Sequence, residues 1–221
     1  HRDLHYPLRR QRQMCIRDSL FIPSELDWKE RRIKIRQDTE FPYEEQTRLT
    51  VTEGSSRFSL LIRYPSWVKD GDLKITVNGK PESFEGHPSS YITLTRRWKK
   101  GDVIQVLLPM HTSIEQMPNV PDYVAFLHGP VLLGARSGTE DLKGIIADDS
   151  RWGHIASGEK LPVDEAPAVI QTARNDTAEM LIPVKESPFV FKIPASKLNT
   201  SEDMILQPFF TIHDTRYIIY W

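Results

Sequence analysis

Apolar and polar residues alternate along much of the chain between about residue 20 and residue 135. In the segment 32–37, for example, Ile33 and Ile35 fall on one face and charged residues fall on the other. A period of two is typical of a β-strand that buries one face. The same pattern, with one slip in the third segment, predicts strands over 32–37, 47–52, 58–63, 73–77, 91–95 and 103–109.

Residues that favour tight turns separate these predicted strands. Asn78-Gly79 directly follows the segment 73–77, and both residue types tolerate the positive φ angles of a two-residue hairpin. Residues 99–102 and 128–130 form further predicted turns, the second of them between strands at 123–127 and 131–135. No segment keeps an apolar period of 3.6 over three helical turns. Short strands with such breaks favour an antiparallel β-sandwich over alternating strands and helices.

The composition changes at residues 136–149, which read as a loop followed by an acidic stretch. We therefore predict an all-β chain, with an antiparallel β-sandwich over residues 19–135 and a smaller β-rich unit over 136–221. The strands predicted for the second unit are 168–171, 180–184, 189–193, 205–210 and 217–221. The last of them ends without a turn or a polar tail, so we expect the second unit to be truncated.

Residues 1–18 differ from the rest of the chain. They contain five arginines without a period of 2 or 3.6, and the string at 14–19 (MCIRDS) resembles translated sequencing-adapter sequence. One interpretation is a basic arm that binds nucleic acid or a membrane. We favour the other interpretation, a foreign and disordered arm that takes no part in the fold and includes Cys15.

Charge and composition exclude several classes of function. The net charge is −1, so the whole chain has no electrostatic reason to bind nucleic acid or an anionic membrane. No run of eighteen apolar residues predicts a transmembrane helix. The single cysteine, Cys15, excludes an internal disulfide and a cysteine-rich metal site. We expect neither a nucleic-acid partner nor a membrane partner.

Several strings resemble the middle domain of family 127 glycoside hydrolases. In order along the chain they are 20–28 (LFIPSELDW), 37–43 (QDTEFPY), 63–67 (RYPSW), 77–80 (VNGK), 97–102 (RWKKGD), 108–110 (LPM) and 128–135 (HGPVLLGA). Two later strings resemble the small appended domain of some members, and these are 148–154 (DDSRWGH) and 213–217 (HDTRY). The resemblance covers about residues 20–221, nearly everything outside the predicted arm.

This resemblance implies an enzyme of the β-L-arabinofuranosidase type that acts on plant-derived, arabinose-containing glycans. In that family an N-terminal (α/α) barrel holds a cysteine nucleophile and a zinc ion bound by cysteines and a glutamate. No position of this chain matches those residues, so we assign no catalytic, cofactor-binding or metal-binding residue here. Zinc is expected only in the missing catalytic barrel, which would be the partner of this chain. A periplasmic or extracellular location in a bacterium follows from the resemblance alone.

Acidic pairs and a His-Asp pair offer alternative chemistry. Glu44-Glu45, Glu140-Asp141 and Asp148-Asp149 are adjacent carboxylates, but neighbours on a strand point to opposite faces, so we expect solvated turns. A calcium site at Asp148-Asp149 is the alternative, although the spacing is not that of an EF-hand loop. His213-Asp214 lacks the serine motif of a catalytic triad, and we expect structural roles for it.

Aromatic residues are the remaining candidates for contacts with a sugar or with another domain. We select Trp28, Tyr43, Trp152 and His154 for such contacts. A docking face is predicted to combine residues 41–43 with Trp152 and His154. Trp67 and Trp98, by contrast, stand beside turns and are expected to cover the sandwich core.

The function predicted on these grounds is a non-catalytic accessory region that packs on and supports the missing catalytic barrel. The alternative is an independent carbohydrate-binding β-sandwich module, and a free-standing adhesion sandwich is a third interpretation. The first two differ in what they expose. A binding module needs a coplanar row of solvent-facing aromatics, whereas a docking domain exposes a broad apolar patch.

Overall fold

The computed structural model describes residues 15–120, 122–140, 162, 165–170, 180–185 and 187–221. The chain is all-β, as predicted, and it divides into two compact units at Met110/His111. Short 3₁₀ turns at Lys29–Arg31, Ala195–Lys197 and Phe209–Thr211 are its helical segments within the described residues. None of the helices described is long and apolar enough to cross a membrane.

The first unit is a β-sandwich of two sheets. One sheet has the order β1-β5-β8 and the other has the order β2-β3-β4-β9-β6-β7. The strands are β1 (Cys15–Asp18), β2 (Ser24–Trp28), β3 (Ile33–Asp38), β4 (Gln46–Glu53), β5 (Ser55–Tyr64), β6 (Lys74–Val77), β7 (Lys80–Pro81), β8 (Ser90–Lys99) and β9 (Val103–Leu107). All pairs are antiparallel except β1 with β5, which run parallel.

The alternation in the sequence becomes the core of this sandwich. Ile33 and Ile35 of β3 are buried, while Arg36 of the same strand is exposed. On the opposite sheet, Leu60 and Ile62 of β5 are buried in the same cluster. Residues one apart on a strand point to opposite faces, so each strand gives alternate side chains to the space between the sheets.

The predicted turns form and are tied together by side chains. Asn78 and Gly79 have φ angles of 52° and 76°, as the hairpin between β6 and β7 requires. Asn78 Nδ2 donates to Asp102 Oδ1 at 3.0 Å, and its Oδ1 accepts from the Val103 amide at 2.8 Å. Asp102 Oδ2 in turn accepts from the Lys99 amide at 2.9 Å. Two turns that are separate in sequence are therefore one hydrogen-bonded unit.

The prediction that residues 1–18 stand outside the fold is wrong for residues 15–18. These residues form β1, which pairs with β5 from Cys15↔Ser59 to Asp18↔Ile62, and Ile16 packs against the core. Because the partner strand lies some forty positions along the chain, the local pattern could not reveal this pairing. Residues 1–14 lie outside the described residues.

Asp18 joins the two sheets through a buried polar network. Gln37 Nε2 on β3 donates to Asp18 Oδ2 at 3.0 Å and to Thr47 Oγ1 on β4 at 2.9 Å. All three residues are buried, and Asp18 lies on β1 of the opposite sheet. Burial raises the pKa of the Asp18 carboxyl group above 3.8, and hydrogen bonds from Gln37 and the Phe21 backbone lower it in part.

The second unit has a separate core around one mainly antiparallel sheet. Its order is β10-β11-β12-β15-β14-β13, and β16 also pairs with β12. The strands are β10 (Thr112–Gln116), β11 (Val124–His128), β12 (Val131–Arg136), β13 (Ile182–Pro183), β14 (Phe191–Ile193), β15 (Met204–Pro208) and β16 (Tyr217–Ile218). Its most deeply buried side chains include Phe126, Leu133, Ile193 and Leu206.

The boundary predicted at residues 135/136 is corrected to Met110/His111. Strands β10, β11 and β12 belong to the second unit, because Leu133 pairs with Pro208 and Ala135 pairs with Leu206 and Ile218. The change of composition at 136–149 follows β12 inside this unit and does not separate the two units. Strand pairing over seventy or more positions decides the boundary, and local composition does not report such pairing.

Gly54 provides a test of the tight link between β4 and β5. Its φ is +83°, and a Cβ atom there would lie 1.8 Å from the backbone oxygen of Arg32. Gly71 has the same φ but nothing within 4 Å of its Cβ position. We expect Gly71→Ala to lower the free energy of unfolding by about 1–2 kcal/mol, for the left-handed conformation alone. Gly54→Ala should cost at least about 3 kcal/mol, because the backbone must also move.

Urea denaturation followed by tryptophan fluorescence measures both variants, since Trp28, Trp67 and Trp98 all lie in the first unit. Equal denaturation midpoints for Gly54→Ala and Gly71→Ala would contradict the close approach to Arg32.

A second prediction concerns pH. Because the folded state holds the Asp18 proton more tightly than the unfolded chain, the stability due to Asp18 is fully present below pH 3.8 and falls as the pH rises through the folded-state pKa. We expect the free energy of unfolding of the wild type, relative to Asp18→Asn, to increase as the pH is lowered from about 7 to about 4. Urea denaturation at a series of pH values provides the measurement.

Asp203 is the control of opposite sign. Hydrogen bonds from Lys192 and the Ala195 amide lower the pKa of its carboxyl group, so its contribution is present above pH 3.8 and is lost as the pH falls through the folded-state pKa. The free energy of unfolding of the wild type relative to Asp203→Asn should therefore not increase as the pH is lowered. The prediction is contradicted if the free energy of unfolding of the wild type relative to Asp18→Asn stays constant or decreases toward low pH.

Candidate functional site

Trp28, selected from the sequence as a candidate contact, is the last residue of β2 and is half-buried. Its ring meets Phe58 edge to face, with centroids 5.8 Å apart and an interplanar angle of 67°. The guanidinium of Arg31 lies over the ring, 5.6 Å from its centroid. The ring of Trp28 thus has an aromatic and a cationic neighbour from the protein, and it packs against the core.

The predicted docking group at residues 41–43 divides into a packed part and an exposed part. Tyr43 is 55% exposed. Phe41 instead packs against the core, with its ring 5.9 Å from that of Phe21 and stacked 5.8 Å from that of Trp67. Phe41 is therefore half-buried, since three rings pack together at this edge of the sandwich, and its part in a docking face stays a prediction. Trp67 and Trp98 cover the core as predicted, and Trp98 Nε1 donates to the Phe58 oxygen at 3.2 Å.

The structure does not bring together Trp28 and Tyr43, the two candidate contacts among the described residues. Trp28 pairs with Ile33 at one end of β2 and β3, whereas Tyr43 follows the opposite end of β3, where Ser24 pairs with Gln37. Trp152 and His154 lie outside the described residues, so their predicted role as contacts stays a prediction.

The acidic pairs that are described serve local structure. Glu45 Oε1 accepts from the Met110 amide at 2.8 Å, and Glu44 Oε2 accepts from Gln46 Nε2 at 3.0 Å. His213 and Asp214 are both exposed in the loop before β16. Within the described residues, no group of three or more His, Cys, Asp or Glu side chains could hold a metal ion. Asp141, Asp148 and Asp149 are outside these residues.

A polar cleft of about 370 Å³ opens on the first unit. Its lining residues are Pro23, Asp38, Thr39, Glu40, Glu44, Gln46, Thr47 and Arg48. Asp38 is paired with Arg36 at 3.0 Å, and Glu44 accepts from Gln46. No aromatic ring lines the cleft, and two of its three acidic side chains, Asp38 and Glu44, have these neighbours as partners.

A larger cleft of about 580 Å³ opens on the second unit, and we call it the tyrosine cleft. Its lining residues are Tyr123, Ser137, Pro162, Glu165, Ala166, Pro167, Arg216, Tyr217, Ile218, Ile219 and Tyr220. Tyr217 is 51% exposed and Tyr220 is 40% exposed. Sequence reasoning missed this group, because Tyr123 is more than ninety positions from the other two tyrosines.

The fold and these surfaces define a chain with two β-rich units and no catalytic constellation within its described residues. Residues 15–110 match the family model described as the middle domain of GH127 β-L-arabinofuranosidases. Residues 113–221 match DUF4986, a domain of unknown function. The first unit thus matches a GH127 middle domain, and the resemblance to family 127 glycoside hydrolases is confirmed.

Solved structures of glycoside hydrolases share this fold. A glycoside hydrolase matches 92% of this chain at 20% identity with a TM-score of 0.57, and a GH127 β-arabinofuranosidase matches 94% at 20% identity with a TM-score of 0.60. A GH127 β-L-arabinofuranosidase from Geobacillus stearothermophilus T6 matches 94% at 19% identity with a TM-score of 0.59. The chain spans 33–35% of the length of these three structures. No curated protein sequence matches the chain.

Proposed function

We propose that this chain is the accessory region of a β-L-arabinofuranosidase-like hydrolase, in which it packs on and supports a separate (α/α) catalytic barrel. The observation that carries the proposal is the match of residues 15–110 to the GH127 middle domain. The chain spans only about a third of two solved GH127 enzymes, so the rest of such an enzyme can supply the catalytic domain. The substrate of the whole enzyme would be an arabinose-containing glycan.

The chemistry of the described residues supports a non-catalytic role. A glycosidase with two carboxyl groups needs them on either side of one sugar bond, and Glu44 and Glu45 are instead committed to local hydrogen bonds. The zinc implied by the family needs thiolate ligands, whereas the chain has one cysteine, Cys15, on β1. The residues present do not fit that zinc site, and no step of a reaction is assigned to them.

The aromatic residues of the first unit also support a scaffold over an independent binding module. Trp28, Trp67 and Trp98 all pack against the core cluster or belong to it. A module that binds sugar on this sandwich would need such rings in a solvent-facing row. Their large apolar surfaces instead stabilise the sandwich, which suits a domain whose role is to hold another one in place.

An apolar surface on the first unit is available for the catalytic barrel. Leu20 and Ile22, in the link from β1 to β2, are 69% and 53% exposed, and Tyr91 on the same sheet as β1 is 37% exposed. Ser19 and Tyr91 are hydrogen-bonded through their hydroxyl groups at 2.8 Å, which places the link beside β8. Large exposed aliphatic side chains are typical of a surface that is covered in a larger assembly.

The chain expressed alone is expected to hydrolyse no chromogenic arabinofuranoside, because its described residues do not bring together a nucleophile and a partner acid. A longer polypeptide that joins this chain to the proposed catalytic barrel should hydrolyse the same substrate. In that longer enzyme, Leu20→Asp with Ile22→Asp should lower the melting temperature by several degrees by charging the proposed contact. Ile182→Asp, which changes an isoleucine that is 46% exposed on the second unit, is the matched control.

Thermal melting and initial rates measure these effects. Hydrolysis that follows the 221-residue chain through every purification step would overturn the proposal. An equal effect of the Leu20/Ile22 pair and of Ile182→Asp would remove the assignment of the contact surface.

A further inference from the structure

We propose that the tyrosine cleft of the second unit is a binding site for a neutral saccharide. The site lies outside the GH127 middle domain, in the unit that matches a domain of unknown function. Three tyrosines line it: Tyr217 and Tyr220 are exposed, and Tyr123 is half-buried. The choice of arabinose as the sugar rests on the proposed function, whereas the choice of a saccharide rests on the cleft itself.

Backbone pairing brings the three tyrosines to one place. On one side, Tyr217 of β16 pairs with Arg136 of β12. Four residues later, the Trp221 amide donates to the Val124 oxygen at 2.9 Å and the Val124 amide donates back to Trp221 at 3.2 Å. Tyr123 directly precedes Val124, so the segment 217–221 spans from β12 to the start of β11 and carries Tyr220 toward Tyr123. The cleft therefore depends on the path of residues 217–221 between β12 and the start of β11, which no short sequence motif encodes.

The floor of the cleft is held by close packing. We call residues 218–219 the floor. A Cβ atom at Gly134 of β12 would lie 3.1 Å from a side-chain carbon of Ile219 and 3.2 Å from the Ile218 oxygen, so β12 packs closely against the floor at this glycine. The ring of Tyr217 meets that of Phe209 edge to face, with centroids 4.9 Å apart. A ring that is already oriented loses little conformational entropy when it binds a ligand.

Residues 215–216, which precede the floor, are hydrogen-bonded to residues 137–138 in the loop after β12. Thr215 Oγ1 donates to the Gly138 oxygen at 2.6 Å, and the Arg216 amide donates to the same oxygen at 3.0 Å. The Ser137 amide donates to the Arg216 oxygen at 2.8 Å. These bonds fix the backbone of Ser137 and Arg216 beside Tyr217 in the lining, and Arg216 Nε donates to the Glu140 oxygen at 2.9 Å.

The lining combines the two features by which proteins recognise sugars. A tyrosine ring has an apolar face that packs against the C–H face of a sugar, and a hydroxyl group that bonds to the sugar's own hydroxyls. Arg216 and Glu165 add one positive and one negative group to the wall. Since these charges oppose one another, the cleft favours a neutral polar ligand over an anion or a cation. Its volume of about 580 Å³ is in the usual range for small-ligand sites.

The polar cleft of the first unit lacks these features. Asp38, Glu40 and Glu44 line it, but no aromatic ring does, and Asp38 and Glu44 already have partners. The difference in lining selects the tyrosine cleft as the saccharide site.

Isothermal titration calorimetry of the whole 221-residue chain with linear arabino-oligosaccharides tests the proposal. Saturable binding is expected, and Tyr217→Ala and Tyr220→Ala should each weaken it by about tenfold through loss of a stacking face. Tyr220→Phe should retain most of the affinity, because it keeps the ring and removes only the hydroxyl. Phe210→Ala is the matched control: Phe210 is 52% exposed on the same unit and does not line the cleft.

Thermal melting of every variant establishes that it folds, so that loss of binding is assigned to the cleft. Absence of saturable binding to arabino-, xylo- and gluco-oligosaccharides overturns the inference, as does binding that Phe210→Ala weakens as much as Tyr217→Ala. Self-association that Tyr217→Ala abolishes, without saccharide binding, also overturns it in favour of a protein interface.

Tyrosine-dependent binding of a saccharide without arabinose supports the cleft and counts only against the arabinose assignment. Hydrolysis by the chain alone would overturn the proposed function and leave the titration result intact.

Discussion

The first unit depends on the register between β5 and β8. Ten consecutive residues of β5, Ser55–Tyr64, pair with the ten residues of β8, Ser90–Lys99. A slip of one position would turn every inward side chain toward solvent, including Leu60 and the fully buried Trp98. Trp98 opposes such a slip, because its indole N–H donates to the Phe58 oxygen and its ring packs against that of Phe58. The six-stranded sheet of the first unit packs against the buried face of β5 and β8.

Polar groups inside and at the edge of this sandwich specify how the remaining strands join it. Gln37 satisfies both Asp18 on β1 and Thr47 on β4 with one amide nitrogen, so a displaced β1 would leave a buried carboxyl group without its partner. The clamp between Asn78 and Asp102 acts in the same way on the turns beside β6 and β9. Apolar burial supplies most of the stability, and these networks select one arrangement among those that bury similar area.

The sequence predicted what is local and missed what is not. The alternation around Ile33 and Ile35 and the hairpin at Asn78 are encoded within a few residues, and both occur as predicted. Strand β1 and the boundary at Met110/His111 depend on pairing between distant segments, which composition does not report. The candidate contacts were chosen by residue type, and tryptophan is as much a core residue as a surface one. Trp28 packs against the core, whereas Tyr217 and Tyr220 of the second unit are exposed.

Each unit has both packed and exposed aromatic rings, and the two kinds have different consequences for an enzyme that contains the chain. Rings that pack inward, such as Trp98, stabilise a scaffold but cannot bind a ligand. Rings that stand outward, such as Tyr217, leave part of their surface available for a ligand. A saccharide held at the tyrosine cleft would be tethered to the catalytic barrel by the same polypeptide, which raises its effective concentration there without any contact to the reacting bond. The gain would be largest for long glycans that can reach both sites, and it would vanish for a short chromogenic substrate.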